Sequence, residues 1–178
     1  PIINALSEKS HPCQTIGDLL TLKERFGNLN IDILWMGDIN NVLFSLIEAS
    51  LLVDNIKIDI FTDENIYNNI KNTLPLSSKI NFHFEVDNNI LKSSHCVMTD
   101  VFNSMNDLDD KEQILNKFQV NEKIMSMTNA DTVFMHCLPA KIGSEVTQEV
   151  IKGNKSIVVN QAKNRMVAQR GILKWLDI

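Results

Sequence analysis

The chain has 178 residues, 44% of them hydrophobic and 22% charged, enough apolar material to bury one sizeable core. A formal net charge of −5 and the lack of any Lys/Arg block argue against a nucleic-acid surface, which needs a basic face to neutralise phosphates. The longest apolar runs, Ile31–Met36 and residues 42–46, fall far short of the ~20 residues that span a bilayer, so no membrane partner is expected.

In chain order, residues 14–26 carry Ile16, Leu19, Leu20 and Phe26 at helical spacing, stopped by Gly27. Residues 31–35 are a short apolar run leading into Gly37-Asp38, and residues 42–52 read as a helix. Ile56–Phe61 is a predicted strand, followed by a helix over 64–74 that ends near Pro75. Residues 80–84 and Cys96–Thr99 are further strands, and residues 109–118 and 122–127 are predicted helical. Residues 133–135 and 157–159 read as strands, and 161–176 as a last amphipathic helix. Short apolar strands alternating with helices imply βαβ units. The expected class is α/β, a three-layer Rossmann-like parallel sheet with helices on both faces.

In such sheets ligands gather in the loops that follow the strands. Four loops carry polar side chains there: residues 36–41 with Asp38, Asn40 and Asn41; residues 100–105 with Asp100 and Ser104; His136-Cys137-Leu138-Pro139; and residues 160–165 with Arg165. A fifth segment, Ser10-His11-Pro12-Cys13-Gln14, opens a helix, where free N–H groups favour an anion. His11, Gln14 and Arg165 suit anions and amides, Asp100 suits a cationic amine, and Asn40 and Asn41 are donors for a carboxylate. That set matches a free amino acid. Each residue alone also has an ordinary use: Asp and Asn cap helices, Cys137 packs as a small hydrophobe, and Arg165 is a surface arginine. A GxGxxG pattern is missing, which leaves a nicotinamide cofactor without support.

Cys13, Cys96 and Cys137 are odd in number and lack CxxC spacing, which points away from a disulfide framework or zinc site and towards a reducing, cytoplasmic setting. No signal-peptide pattern is present. The sequence opens on Pro1 rather than Met, so a processed, truncated or excised piece is expected.

Taken together and in order, His11-Pro12-Cys13-Gln14, Gly37-Asp38-x-Asn40-Asn41, Thr99-Asp100-x-x-x-Ser104-Met105, His136-Cys137-Leu138-Pro139 and Asn164-Arg165 resemble ornithine carbamoyltransferases over essentially the whole chain. The cysteine of His-Cys-Leu-Pro is the sharper feature, because aspartate carbamoyltransferases have His-Pro-Leu-Pro there. The resemblance implies that His11 and Gln14, with Pro12 and Cys13 shaping their turn, contact carbamoyl phosphate. It implies that Asn41, Asp100, Ser104 and Met105 hold the α-amino and α-carboxylate ends of ornithine. Cys137 and Leu138 would line the meeting point of the δ-amine and the carbamoyl carbon, with Arg165 near the carbonyl oxygen. His11, Cys137 and Arg165 are thus the expected catalytic set, and neither a metal nor an organic cofactor is implied.

The implied organisation is an interdomain helix segment over residues 1–30, an ornithine-binding α/β domain over 31–160, and a C-terminal helix over 161–178 that returns to an N-terminal domain. That N-terminal domain would supply a Ser-x-Arg-Thr phosphate loop and most contacts of a homotrimer, so this stretch alone is expected to be inactive and to expose an apolar patch near Leu173, Trp175 and Leu176. Asn106 and Lys163 depart from the usual pattern, which has Gly and an acidic residue at those places. Alternatives are a non-catalytic amino-acid-binding paralogue and a sister carbamoyltransferase with another amine substrate.

Overall fold

A computed structural model describes residues 1–75, 77–103 and 111–177. Its centre is a five-stranded, all-parallel sheet made of β1 (Ile31–Met36), β2 (Ile56–Phe61), β3 (Ile80–His83), β4 (Cys96–Thr99) and β5 (Val133–His136), in the order β3-β2-β1-β4-β5. The predicted α/β class holds.

Alternation along the strands explains the layering. Ile31, Ile33, Trp35, Ile56, Ile58, Ile60, Cys96, Met98, Val133 and Met135 pack into one buried cluster with Leu22 of helix α1 (Pro12–Phe26) and Val42, Leu43, Leu46 and Ile47 of α2 (Asn41–Leu52). The intervening residues Leu34, Met36, Phe61, Val97 and Phe134 enter a second cluster on the opposite face. There they meet Leu91 of α4 (Asn88–Ser93), Leu115 of α5 (Glu112–Leu115), Ile124 and Met125 of α6 (Glu122–Met127), and Val150 of α7 (Gln148–Ile151). Successive strand side chains point to opposite faces, so a strand apolar at every position must be covered on both sides. The three-layer form follows.

Helix α1 starts with Pro12 in its first turn and stops at Gly27, whose left-handed backbone (φ 76°) lets its N–H reach the Lys23 carbonyl at 2.8 Å. Helix α2 is capped by Asn40, whose side-chain oxygen accepts from the N–H groups of Val42 and Leu43.

Several boundaries differ from expectation. The predicted 64–74 helix is α3 (Glu64–Ile70) followed by one 3-10 turn, Lys71–Thr73. Helices α4 and α7 were not anticipated, because each spans barely more than one turn and shows no apolar period. Residues 157–159 are not a strand. Lys155 and Ile157 each share one hydrogen bond with Phe134, and the chain then enters α8 (Val158–Trp175) directly. An apolar Ile-Val-Val triplet satisfies either state, and the helix takes it.

Helix α8 lies against α1. A methyl group on Gly17 would sit 2.9 Å from the Cα of Arg165, so the glycine is what lets the two backbones come this close. At the far end of α8, Trp175 is 82% exposed and Leu173 42%, whereas Leu176 is half-buried. Among the described residues, no helix is long and apolar enough to cross a membrane.

Candidate functional site

The chain runs from β1 outward to β2 and β3, then returns to the other side of β1 for β4 and β5. The sheet therefore has a switch point between β1 and β4, and the loops leaving those strands diverge into a crevice. Asn40 stands on the β1 side of that crevice and Asp100 on the β4 side. They meet there: the Asn40 amide donates to one Asp100 oxygen at 2.7 Å. The other Asp100 oxygen accepts from the Cys137 thiol at 3.0 Å. Burial, followed by the charge of Asp100 and the bond to it, pushes the thiol of Cys137 far up, so it stays a protonated donor at neutral pH.

The loop after β5 is built around His136. Its Nδ1 accepts from the Leu138 N–H at 2.9 Å, and its Nε2 faces Glu145 at 3.1 Å with both side chains fully buried. These partners require Nδ1 as acceptor and Nε2–H as donor, and they leave the ring no free nitrogen. His136 thus serves the loop: it pins Leu138, which sits at φ 56°, a left-handed conformation rare for a non-glycine residue. The peptide bond from Leu138 to Pro139 is cis. Asp100, His136 and Cys137 each bring one donor atom within 4.8 Å of the others. A metal there would have to take a His136 nitrogen from Leu138 or Glu145.

The start of α1 is tied to helix α2. The His11 N–H bonds Ser45 Oγ of α2 at 2.7 Å, and its ring nitrogen Nδ1 is buried without a partner. Burial, then the charge of Arg165, lowers the His11 pKa, so the imidazole is neutral at pH 7. One turn on, Gln14 is buried; its amide nitrogen donates to Asp18 at 2.8 Å while its oxygen has no partner. Arg165 is half-buried on α8 and its guanidinium makes no hydrogen bond among the described residues, yet its charge acts on His11, Asp18 and Cys137. Lys163, two positions earlier, is exposed, as residues i and i+2 face different sides of a helix.

The structure thus brings His11, Gln14, Asp100, Cys137 and Arg165 into one electrostatic neighbourhood. Pro12 and Cys13 lie in the same first turn, Cys13 buried with its thiol on the Asn4 carbonyl at 3.4 Å, and Leu138 is 37% exposed. Asn41 is placed differently from Asn40: its amide donates to the Ser7 carbonyl at 2.7 Å. Ser104, Met105 and Asn106 lie outside the described residues. Two residues carried no signal of their own. Asp18 lies within helix α1 and Gln161 within the 160–165 segment from which Arg165 alone was singled out, and both are buried to 1% exposure.

Comparison with known proteins matches residues 29–176 to the aspartate/ornithine carbamoyltransferase Asp/Orn-binding domain. The chain belongs to this family. Among its curated relatives, the ornithine carbamoyltransferase of Rhodopseudomonas palustris is 39% identical over 98% of the chain, and that of Archaeoglobus fulgidus 40% over 97%. The chain spans 58% of the length of each. The crystal structure of ornithine carbamoyltransferase from Burkholderia thailandensis superposes with a TM-score of 0.87 at 32% identity, covering 99% of this chain and 58% of that one. The family takes in aspartate and ornithine enzymes alike, and these three relatives are of the ornithine kind.

Proposed function

We propose that the protein carrying this chain transfers the carbamoyl group of carbamoyl phosphate to the δ-amine of L-ornithine, yielding L-citrulline and phosphate within arginine metabolism. The carrying observation is the contact of Asp100 with both Asn40 and Cys137, within electrostatic reach of His11 and Arg165. Asp100 holds the α-ammonium of ornithine, and neighbouring amides, with Asn41, Ser104 and Met105, take its carboxylate end. Carbamoyl phosphate lies over the first turn of α1, with Pro12 and Cys13 shaping the seat. The unpartnered Oε1 of Gln14 accepts from the carbamoyl NH2.

The reaction needs a neutral amine, because an ammonium has no lone pair. An alkylamine sits near pKa ~10.4 in water, so the enclosed crevice must lower it. The amine adds to the carbamoyl carbon, and negative charge grows on the carbonyl oxygen. The neutral imidazole of His11 and the Arg165 guanidinium donate to that oxygen, each such donor worth roughly 10²–10³ in rate. Cys137, a thiol and not a thiolate, donates rather than attacks, and Leu138 borders the point where the amine arrives. Phosphate then departs with the bonding pair of the C–O bond and takes up the proton that the newly bonded nitrogen sheds, leaving neutral citrulline and hydrogen phosphate.

We further propose that the phosphate clamp and the contacts of a homotrimer belong to an N-terminal domain, so that residues 1–178 alone bind ornithine weakly and turn over nothing. The test is citrulline formation from both substrates by the full-length protein. Turnover abolished by His11→Ala supports the reading. An active protein indifferent to that change, or a folded full-length protein that binds ornithine without making citrulline, sinks it, the second outcome favouring an amino-acid-binding role.

A further inference from the structure

Asp18 lies on α1 one turn beyond Gln14, 1% exposed, and its Oδ1 accepts two hydrogen bonds at 2.8 Å. One comes from Gln14 Nε2 and the other from Gln161 Nε2 of α8, 143 residues away. Gln161 in turn accepts from the backbone N–H of His136 at 2.9 Å, at the end of β5. A continuous buried chain thus runs from Gln14 through Asp18 and Gln161 to the loop that carries Cys137.

The two ends of a glutamine amide have nearly the same shape and opposite polarity. Packing alone cannot choose between them; a neighbour of fixed polarity can. A carboxylate only accepts, so Gln14 must turn its NH2 towards Asp18 and its oxygen away. That oxygen is buried and without a partner. The opposite orientation would set the Gln14 oxygen against the carboxylate, a costly pairing of two acceptors in a dry site.

We propose that Asp18 is a positioning residue for carbamoyl phosphate: by holding Gln14 and Gln161 through one oxygen, it presents the Gln14 carbonyl to the carbamoyl NH2 and ties that seat to the His136–Leu138 loop. This inference rests on the carbamoyl-transfer reading above.

Steady-state kinetics on the full-length protein test it. Asp18→Ala removes the acceptor and is expected to raise KM for carbamoyl phosphate about tenfold to a hundredfold, with KM for ornithine changed less than about twofold. Asp18→Asn keeps an oxygen in place and restores most of that loss. Gln14→Ala gives a similar rise, and adding Asp18→Ala to it changes little more, because both act through one contact. Equal rises for both substrates, a KM unmoved by Asp18→Ala, or multiplying effects in the double variant would overturn the assignment. Side-chain amide exchange in the 15N-labelled protein supplies a readout free of activity and of any variant's folding: the Gln14 NH2 protons exchange slowly if Asp18 holds them. Exchange as fast as in an exposed glutamine overturns the assignment too. Absence of citrulline from the unsubstituted protein would instead overturn the reading on which it rests, leaving amide exchange to decide the positioning.

Discussion

Asn40 bonds Asp100 across 60 residues of sequence while its other end caps helix α2, so one side chain serves both the fold and the site. Its oxygen satisfies two N–H groups at the helix start, and its NH2 holds one oxygen of the buried Asp100 carboxylate. Asn40→Ala is therefore expected to cost about 1–2 kcal/mol in urea unfolding and to weaken ornithine binding as well. Asn40→Ser keeps a capping oxygen and so recovers most of the stability but not the affinity. Calorimetry showing unchanged ornithine binding in both variants would refute the second role.

Asp18 makes stability depend on pH in a defined direction. Burial, opposed by its bonds to Gln161 and Gln14, pushes its pKa up from the ordinary 3.8 to about 6. Between those values the folded chain binds more protons than the unfolded one, so this group's contribution to stability is full below about pH 4 and lost as pH rises through about 6. The loss amounts to roughly 3 kcal/mol. Asp18→Asn does not titrate. The unfolding free energy of the original chain, measured against that variant, should fall by this order between pH 4 and pH 7, and a flat difference would contradict the buried charge.

Gly17 permits the close crossing of α1 and α8, since a Cβ there would stand 2.9 Å from Arg165 Cα and 3.1 Å from its N. Gly17→Ala gains helix propensity but must push the helix backbones apart, a net loss of about 1–3 kcal/mol. Because Gln161 and Arg165 ride on α8, the same change should lower kcat in the full-length protein. A stabilised Gly17→Ala chain with full activity would show that the helices have slack.

Cys137 is held protonated by burial and by Asp100. Its alkylation by iodoacetamide, followed by mass spectrometry, should be slow at pH 7.5 and still climbing at pH 10. A plateau below pH 8 would mean a depressed thiol pKa and a different electrostatic site. Asp100→Asn removes the nearby negative charge and should speed the reaction several-fold.

Much of the architecture was legible because it is local. The alternation of Ile31, Ile33 and Trp35 against Leu34 and Met36 already demands cover on two faces, and Gly27 already ends α1. Short elements were less so: α4 and α7 are too brief to show a period, and the Ile-Val-Val triplet at 157–159 suits strand and helix alike. His11, Gln14, Asp100 and Cys137 stood out by their place after strands or at a helix start, whereas Arg165 was singled out behind an expected strand at 157–159 and lies instead within helix α8.

Sequence alone determined the parallel α/β sheet, because apolar alternation is written in spacing over a few neighbouring residues, and the order of its motifs along the whole chain carried the resemblance to the family. Only the tertiary structure decided which side chains touch: that Asn40 rather than Asn41 reaches Asp100, that both nitrogens of His136 are spent on its own loop, and that Asp18 is buried between two glutamines. Those pairings join residues as much as 143 positions apart. A helix position that looks like surface acquires its meaning only when another helix is laid over it, and nothing local to Asp18 encodes the arrival of α8.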